Sequence, residues 1–172
     1  MASKRRRHGQ AFITAASIVV TASIVSTATS ARPAPPSWTL HGTYSPAINP
    51  ANFVSGIDNR YFPLKPGTGF HYRGFKDAAA QTDDMVVTHQ VKVVLGVKCT
   101  VVRDTVSQGG KPVERTFDWY AQDKHGNVWY MGEDSLELKN GRFVRADDSW
   151  EAGIAGAKPG IIMEADPRSG DV

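Results

Sequence analysis

Residues 117–133 constrain the fold of this chain more than any other segment. They hold two of its four tryptophans and two of its five tyrosines, on both sides of one recognisable turn. Asp123-Lys124-His125-Gly126 fits a type I turn, with Asp at the first position and Gly where the backbone becomes left-handed. Such a turn followed by a Gly bulge commonly closes a hairpin. The segment therefore predicts an antiparallel β-hairpin.

Counting outward from this turn gives a register for the hairpin. The predicted pairs are Ala121 with Trp129, Tyr120 with Tyr130, and Trp119 with Met131. Because successive side chains point to opposite faces, this register places Asp118 and Glu133 on opposite faces. One face is apolar and predicts core. The other is amphipathic and is the surface predicted to bind a ligand, with the candidate residues Tyr120, Tyr130, Asp118 and Gln122.

Further strands are indicated by alternating apolar residues between closely spaced turn residues. The predicted strands are 68–75, 84–95, 97–106, 112–122 and 127–133, followed by a short hairpin around Asn140-Gly141. Links this short join antiparallel neighbours. The predicted fold is mainly β, an antiparallel up-and-down meander curled into a barrel or half-barrel. A two-sheet β-sandwich is the alternative.

The clearest alternation is in residues 84–95. It places Val87, Val91 and Val93 on one face of the strand, with His89 among them. A histidine in such a position is more often a hydrogen-bonded core residue than a metal ligand or a base. We therefore expect His89 in the core.

The N-terminal segment has the composition of a secretory signal peptide. Residues 4–7 are basic, residues 11–25 are apolar or small, and residues 26–31 are small and neutral. The apolar run is shorter than the ~20 residues that span a bilayer. We expect residues 1–31 to be removed, no membrane span to remain, and the protein to be secreted or held in the cell envelope.

The rest of the chain predicts a leader followed by one domain. Residues 32–50 are rich in Pro and Ser and are typical of a leader or linker. Residues 51–172 predict a single antiparallel β domain, in which residues 52–66 form an irregular strap on the sheet. No closing element follows the last residues, so we expect the domain to be truncated at its C-terminus.

Charge excludes one class of partner. The chain has 20 Lys and Arg against 17 Asp and Glu, and four of the basic residues lie in residues 1–31, which have no acidic residue. The mature chain therefore has 16 basic against 17 acidic side chains, a net charge of −1. Nucleic-acid binding needs a concentrated basic surface, so we expect no nucleic-acid partner. The single cysteine, Cys99, lies in an apolar run and predicts a buried, unreactive thiol.

Three motifs resemble a known family. They are D-W-Y-A-Q-D-x-x-G-N-V-W-Y-x-G-E over residues 118–133, N-R-Y-F-P-L-K-P-G-T over residues 59–68, and S-W-E-A-G over residues 149–153 with the following Pro159-Gly160. Together they resemble a family of secreted bacterial β-rich proteins of unknown function, over about residues 48–171. The resemblance implies an exported β-rich domain and assigns no activity. Members similar to this chain continue into an acidic stretch, in line with the expected truncation.

Carboxylates near the hairpin are the first candidates for chemistry. Paired carboxyl groups about 5 to 9 Å apart can hydrolyse glycosides. Asp118, Glu114 and His71 are the acid–base residues that a secreted hydrolase would use here. With Asp118 and Glu133 on opposite faces, structural roles for the carboxylates are favoured over catalysis.

Metal and cofactor signatures are missing from the sequence. Residues 123–127 lack the alternating oxygen ligands and the terminal Glu of a calcium loop. The histidines and the cysteine have none of the spacings that bind zinc, and the Gly-rich stretches do not fit a phosphate-binding loop. We therefore predict no metal site and no cofactor.

Taken together, these patterns favour a non-enzymatic exported binding or interaction domain. Its aromatic-lined pocket would lie on the Tyr120/Tyr130 face and take a small apolar, aromatic or saccharide-like ligand. The alternatives are a secreted hydrolase that uses Asp, Glu and His, and a structural module of the cell envelope.

Overall fold

Short turns join six antiparallel strands in sequence order. The strands are β1 Gly69–Lys76, β2 Ala79–Val94, β3 Val97–Gln108, β4 Lys111–Gln122, β5 Val128–Lys139 and β6 Arg142–Arg145. This computed structural model describes residues 44–169, which belong to the unit Leu40–Val172. The predicted signal peptide and residues 32–43 of the predicted leader lie outside the described residues. The meander curls through 264° into a half-barrel, which confirms the predicted class and topology.

Three short strands cover the second edge of β5. They are β6, β7 (Trp150–Glu151) and β8 (Gly160–Met163), each antiparallel to β5. β5 itself runs without a break to Lys139, whereas the sequence predicted two separate pieces. The region that contains β7 and β8 was predicted as a loop packed on the sheet. Within residues 44–169 no helix is long and apolar enough to cross a membrane.

Both faces of the sheet carry an apolar cluster. The first cluster consists of Val94, Val97, Cys99, Val101, Trp119, Ala121, Met131 and Ala152. The second consists of Ile57, Leu64, Val87, Val102, Tyr120 and Val128. We call the face with the second cluster the inner face, because its polar side chains Thr116, Asp118 and Ser135 are buried. On the other face, the outer face, Arg103 and Arg115 are exposed. Burial of polar groups on one face only is expected inside a curled sheet.

The strap predicted over residues 52–66 packs on the inner face and is fixed by two amides. Gln122 Oε1 accepts hydrogen bonds of 2.9 Å from the backbone N–H groups of Asp58 and Asn59. Its Nε2 donates to Asp58 Oδ1 at 2.7 Å. Asn59 Nδ2 donates to the carbonyl oxygens of Gly126 and Glu164. These bonds satisfy buried polar groups, and they hold Ile57 against the inner apolar cluster.

The hairpin turn forms as predicted, and its aspartate anchors it. Gly126 N–H donates to Asp123 C=O at 3.0 Å. The Asp123 carboxylate accepts hydrogen bonds from the backbone of His125 and Asn127, from the Asn127 amide and from the Trp129 indole. Burial alone would raise the pKa of Asp123, but these hydrogen bonds outweigh it and the pKa is lowered.

A β-bulge in β5 corrects the predicted register of the hairpin. Tyr120 pairs with Tyr130 as predicted, but Trp119 pairs with Gly132 instead of Met131. Met131 is therefore the extra residue, and every later residue of β5 moves to the other face. As a result Glu133 lies directly opposite Asp118 on the inner face. The predicted placement of these two carboxylates on opposite faces is wrong.

An irregularity in β2 leaves its predicted faces unchanged but not the predicted burial, because the shift takes up an even number of residues. The pairing of β2 with β3 shifts between Val87 and Val91. Beyond the shift Val91 is 63% exposed, whereas Val94 is 1% exposed. His89 lies within the shifted segment and is exposed. The prediction of a core histidine is wrong, because the face that carries Val91 and Val93 is exposed at this end of the sheet and the core lies on the opposite face, with Val94.

The bulge at Met131 and Gly132 depends on the absence of a side chain at Gly132. Its φ is 141°. A Cβ at this position would lie 2.5 Å from the Trp150 carbonyl oxygen and 2.9 Å from Trp119 Cε3. We expect Gly132→Ala to lower the free energy of unfolding by about 3 kcal/mol, through backbone strain and overpacking. Urea denaturation measures the change.

The matched control is Gly74→Ala, also in a strand. A Cβ at Gly74 would meet no atom within 4 Å. Gly74→Ala should therefore change the free energy of unfolding by no more than about 0.5 kcal/mol. Equal stabilities for the two variants would mean that Gly132 does not set the bulge.

Candidate functional site

Six carboxyl groups from four strands lie on the inner face, and one of them, Glu137 of β5, pairs with Lys139. The other five are Asp83 of β2, Asp104 of β3, Glu114 and Asp118 of β4, and Glu133 of β5. Asp104 lies opposite Thr116, between Glu114 and Asp118 on the neighbouring strand, and Asp118 lies opposite Glu133. Side chains on one face at such positions are close enough to interact. The meander therefore concentrates negative charge on one surface.

One tyrosine bridges two of these carboxyl groups. The Tyr130 hydroxyl oxygen lies 2.6 Å from Asp118 Oδ1 and 2.7 Å from Glu133 Oε2. A hydroxyl has one proton to donate but can also accept. Both contacts are hydrogen bonds at once only if one carboxyl group is protonated and donates to the tyrosine oxygen.

The environment of Asp118 favours its protonated form. The residue is 6% exposed. Burial, together with the charges of Glu133, Glu114 and Asp83, raises the pKa of Asp118 to about 6, although the Tyr130 hydrogen bond acts in the opposite direction. The same surroundings raise the pKa of Tyr130, so its hydroxyl stays protonated. The three side chains form a hydrogen-bonded unit in which Asp118 keeps its proton to a higher pH than an ordinary aspartate does.

A second carboxyl pair lies beside this unit. Asp83 Oδ1 and Asp104 Oδ1 are buried, and neither has a hydrogen-bond partner among the described residues. Burial raises the pKa of Asp104, and the negative charge of the neighbouring Asp83 raises it further. A proton on Asp104 allows it to donate to Asp83 and removes the repulsion between two buried carboxylates.

A pocket of about 310 Å³ opens onto these carboxyl groups. It is lined by Phe62, Met85, Asp104, Glu114, Thr116, Asp118, Tyr120, Glu133 and Ile162. Four of the nine lining residues are acidic and none is basic. We call this site the acidic pocket. Its apolar lining comes from the strap, β2, β4 and β8.

The predicted ligand-binding residues have different positions relative to this pocket. Asp118 and Tyr120 line it. Tyr130 bonds to two of its carboxyl groups and stacks on Tyr120, with 4.9 Å between ring centroids. Phe62 meets the Tyr120 ring edge to face at 5.5 Å. The Gln122 amide is occupied by the strap, so its ligand-binding role stays a prediction for which this geometry offers no free polar group.

The structure does not bring together the three predicted acid–base residues. Glu114 and Asp118 share the inner face, and burial raises the pKa of Glu114. His71 pairs with Asp84 on the outer face, where its Nδ1 lies 2.5 Å from Asp84 Oδ1. Arg73 Nε donates to His71 Nε2 at 3.2 Å. Because the sheet separates His71 from Asp118, the hydrolase set of Asp118, Glu114 and His71 cannot act together.

Two further sites are weaker candidates. Cys99 is fully buried as predicted, and burial raises its pKa to about 12, so it is not a nucleophile near neutral pH.

A larger groove of about 720 Å³ lies between the strap and the hairpin turn. Its carboxyl groups, Asp58 and Asp123, already accept hydrogen bonds, and its lysines, Lys65 and Lys124, are exposed. The acidic pocket is the better candidate because its carboxyl groups are buried or half-buried and lie on one face of the sheet.

Sequence reasoning missed half of the acidic pocket. Asp83 and Asp104 lie in predicted strands or their flanks and carry no motif. Glu133 was assigned to the wrong face. A glycine inside a strand pattern is a known sign of a bulge. Gly132 was therefore the one signal that could have placed Glu133 beside Asp118.

Comparisons with known proteins assign no function to this chain. No family model, curated protein or solved structure matches the chain. The resemblance to a secreted β-rich family therefore stays a prediction. In the described part of the chain, no group of three or more His, Cys, Asp or Glu side chains is arranged to hold a metal ion.

The raised pKa of Asp104 predicts a pH-dependent stability. An unfolded Asp titrates near ~3.9, and the folded group has a raised pKa. Its contribution to stability is therefore present below about pH 4 and is lost as the pH rises through the folded pKa. Asp104→Asn removes this loss of stability at high pH, because the Asn side chain does not ionise and its amide can donate to Asp83. We expect the variant to be about 1 to 2 kcal/mol more stable at pH 8, allowing for partial screening by solvent.

Urea denaturation at pH 5 and pH 8 measures this effect. The control is Asp134→Asn on the outer face, where Asp134 pairs with Arg145 at the surface. It should change stability little at either pH. If the stability difference between Asp104→Asn and the native chain is the same at both pH values, the Asp104 carboxyl group is not held protonated.

Proposed function

We propose that this domain binds a small organic cation, such as an amine with an apolar portion, in the acidic pocket. One observation carries the proposal: four carboxyl groups line a pocket that has no basic lining residue. Uncompensated buried charge is costly. A bound cation supplies the missing charge and allows the carboxyl groups to ionise.

The remaining lining fits the apolar portion of such a ligand. Phe62, Met85 and Ile162 provide apolar surface, and the Tyr120 ring forms part of the wall. Aromatic rings also attract cations through their faces. Apolar walls with a few converging polar groups are typical of small-ligand sites. This ligand differs from the apolar, aromatic or saccharide-like one that the sequence suggested, because it also carries a positive charge.

Export of the protein belongs to the same proposal. Residues 1–31 have a basic head, an apolar run and small residues near a cleavage site. With that segment removed, the domain would meet its ligand outside the cytoplasm, in secreted form or within the cell envelope. A structural role in the envelope needs no pocket and is the weaker alternative.

Calorimetry with benzylamine tests the proposal. Benzylamine should bind, whereas the similarly shaped benzyl alcohol and benzoate should not. Binding should strengthen from pH 5 to pH 7, because Asp118, with a pKa of about 6, loses its proton over this range and becomes attractive to a cation. The release of protons on binding should appear as a dependence of the measured heat on the buffer.

Glu133→Gln is the informative variant. Its amide oxygen can still accept the Tyr130 hydrogen bond, so the fold is retained, but one charge is lost. We expect benzylamine affinity to fall at least about tenfold, or ~1.4 kcal/mol. Asp134→Asn, the next residue but on the outer face, should leave affinity unchanged. Equal binding of benzylamine and benzyl alcohol would reject the cation-binding proposal.

Acid–base hydrolysis is a second candidate, favoured by the Tyr130 bridge. Asp118 Oδ1 and Glu133 Oε2 contact one oxygen at 2.6 and 2.7 Å, so they are no farther apart than the sum of these distances. Carboxyl groups of retaining glycosidases lie about 5 to 5.5 Å apart. Asp118 would act as the acid and Glu133 as the nucleophile. Because Asp118 is buried, hydrolysis ranks second to cation binding as a function for this site.

This candidate predicts turnover of p-nitrophenyl glycosides. Glu133→Gln should lower the rate at least about 10³-fold, because it removes the nucleophile, while Asp134→Asn should not change it. Release of nitrophenol at the rate of the buffer blank would exclude this reaction without affecting the binding proposal.

A further inference from the structure

The first strand of the half-barrel has an unpaired edge. Among residues 44–169, β1 pairs with β2 alone. The eight residue pairs between β1 and β2 follow one another without a bulge, and β1 contains no proline. Natural edge strands are commonly protected by bulges, prolines, charged side chains or covering segments. Of these, β1 has in the described region only charged side chains, such as Arg73 and Lys76. β1 therefore presents a regular row of backbone donors and acceptors that another strand can bind.

The curvature of the sheet leaves room for such a strand. Six strands turn through 264°, which is about 53° for each of the five steps between neighbours. The remaining 96° of a full turn corresponds to nearly two such steps. One added strand beside β1 would fill this gap and approach β6, which pairs only with β5 in the described region.

The charge of the inner face determines which side chains the added strand should carry on that face. The inner face of β1 bears Tyr72, directly opposite Asp83, and a single basic side chain, Lys76, at the end of the strand. The buried Oδ1 of Asp83 has no hydrogen-bond partner in the described region. Beyond Asp83 lie the carboxyl groups of the acidic pocket. Alternate side chains of an added strand would point to this face. Basic side chains at every second position would complement it.

The outer face imposes a different preference on the same strand. Phe75 is 81% exposed on the outer face of β1, next to Arg73. A segment that alternates Lys or Arg with apolar residues matches both faces at once. Its main chain would bind in the manner of β-strand addition, in which backbone hydrogen bonds supply affinity and alternate side chains supply specificity.

We infer that the β1 edge binds an extended cationic peptide, with Lys or Arg at every second position, whose basic side chains enter the half-barrel towards Asp83 and the acidic pocket. The inference rests on the proposed function for its choice of charge. It adds a backbone-binding surface and identifies the partner as a peptide segment.

Fluorescence anisotropy with short labelled peptides tests the inference on the mature protein. A Lys-Val-Lys-Val-Lys-Val peptide should bind at least tenfold more tightly than Lys-Lys-Lys-Val-Val-Val, which has the same composition without alternation. A version with N-methyl groups on every backbone amide should also bind at least tenfold more weakly, because none of its residues can donate to the ladder. Equal affinities for the alternating, block and N-methylated peptides would overturn the inference.

Amide hydrogen exchange locates the binding. The alternating peptide should slow exchange across residues 69–76 at least tenfold, whereas benzylamine should not. Binding without protection of this strand would place the peptide elsewhere and overturn the inference. Protection that already exists without peptide and rises with protein concentration would assign the edge to a second copy of the chain, and would also overturn it.

The two proposals fail separately in these experiments. Benzylamine binding without peptide binding retains the acidic pocket as a cation site and rejects the strand partner. Peptide protection of β1 without benzylamine binding retains the edge and rejects the small-cation site. If Glu133→Gln loses peptide affinity and Asp134→Asn does not, the peptide bound at the β1 edge also uses the charge of the acidic pocket.

Discussion

The inner face of this half-barrel depends on one backbone irregularity in β5. Met131 has no partner on β4, and Gly132 reaches a φ of 141° in a space bounded by Trp150 and Trp119. This extra residue moves Glu133 to the face of Asp118. Without it the two carboxyl groups would lie on opposite sides of the sheet, and Tyr130 could not bridge them. A local conformation available to glycine thus determines the chemistry of the site.

The interior combines two environments that have opposite effects on stability. The strap, fixed by Gln122 and Asn59, closes an apolar cluster around Leu64 and Tyr120. Beside it the same strands bury carboxyl groups, and burial raises the pKa of Asp104 and Asp118. Groups that oppose folding when charged are typical of functional sites. The apolar cluster and the strap supply the stability that this acidic surface lowers.

Openness and charge act together in the proposed function. A fully closed barrel would hide both the carboxyl groups and the edge of β1. Because the meander turns through only 264°, a gap remains beside β1. Both the carboxyl groups and the β1 edge can be reached through this gap. In the proposal, the acidic pocket provides the charge that selects a cation, and the β1 edge provides the backbone groups that select an extended chain. Small amines and cationic peptides would then be related ligands for one surface.

By itself the sequence determined the local structure: the Asp123 turn, the pairing of Tyr120 with Tyr130, the meander of antiparallel strands and the buried Cys99. These follow from turn chemistry and alternation, which act over a few residues. Only the tertiary structure decided that Glu133 joins Asp118, that Asp83 and Asp104 lie beside them, and that His71 and His89 do not. A bulge of one residue, such as the one at Met131, reverses the face of every residue that follows it. Groups distant in sequence meet only when four strands curl around a common interior, so the site is a property of register and curvature.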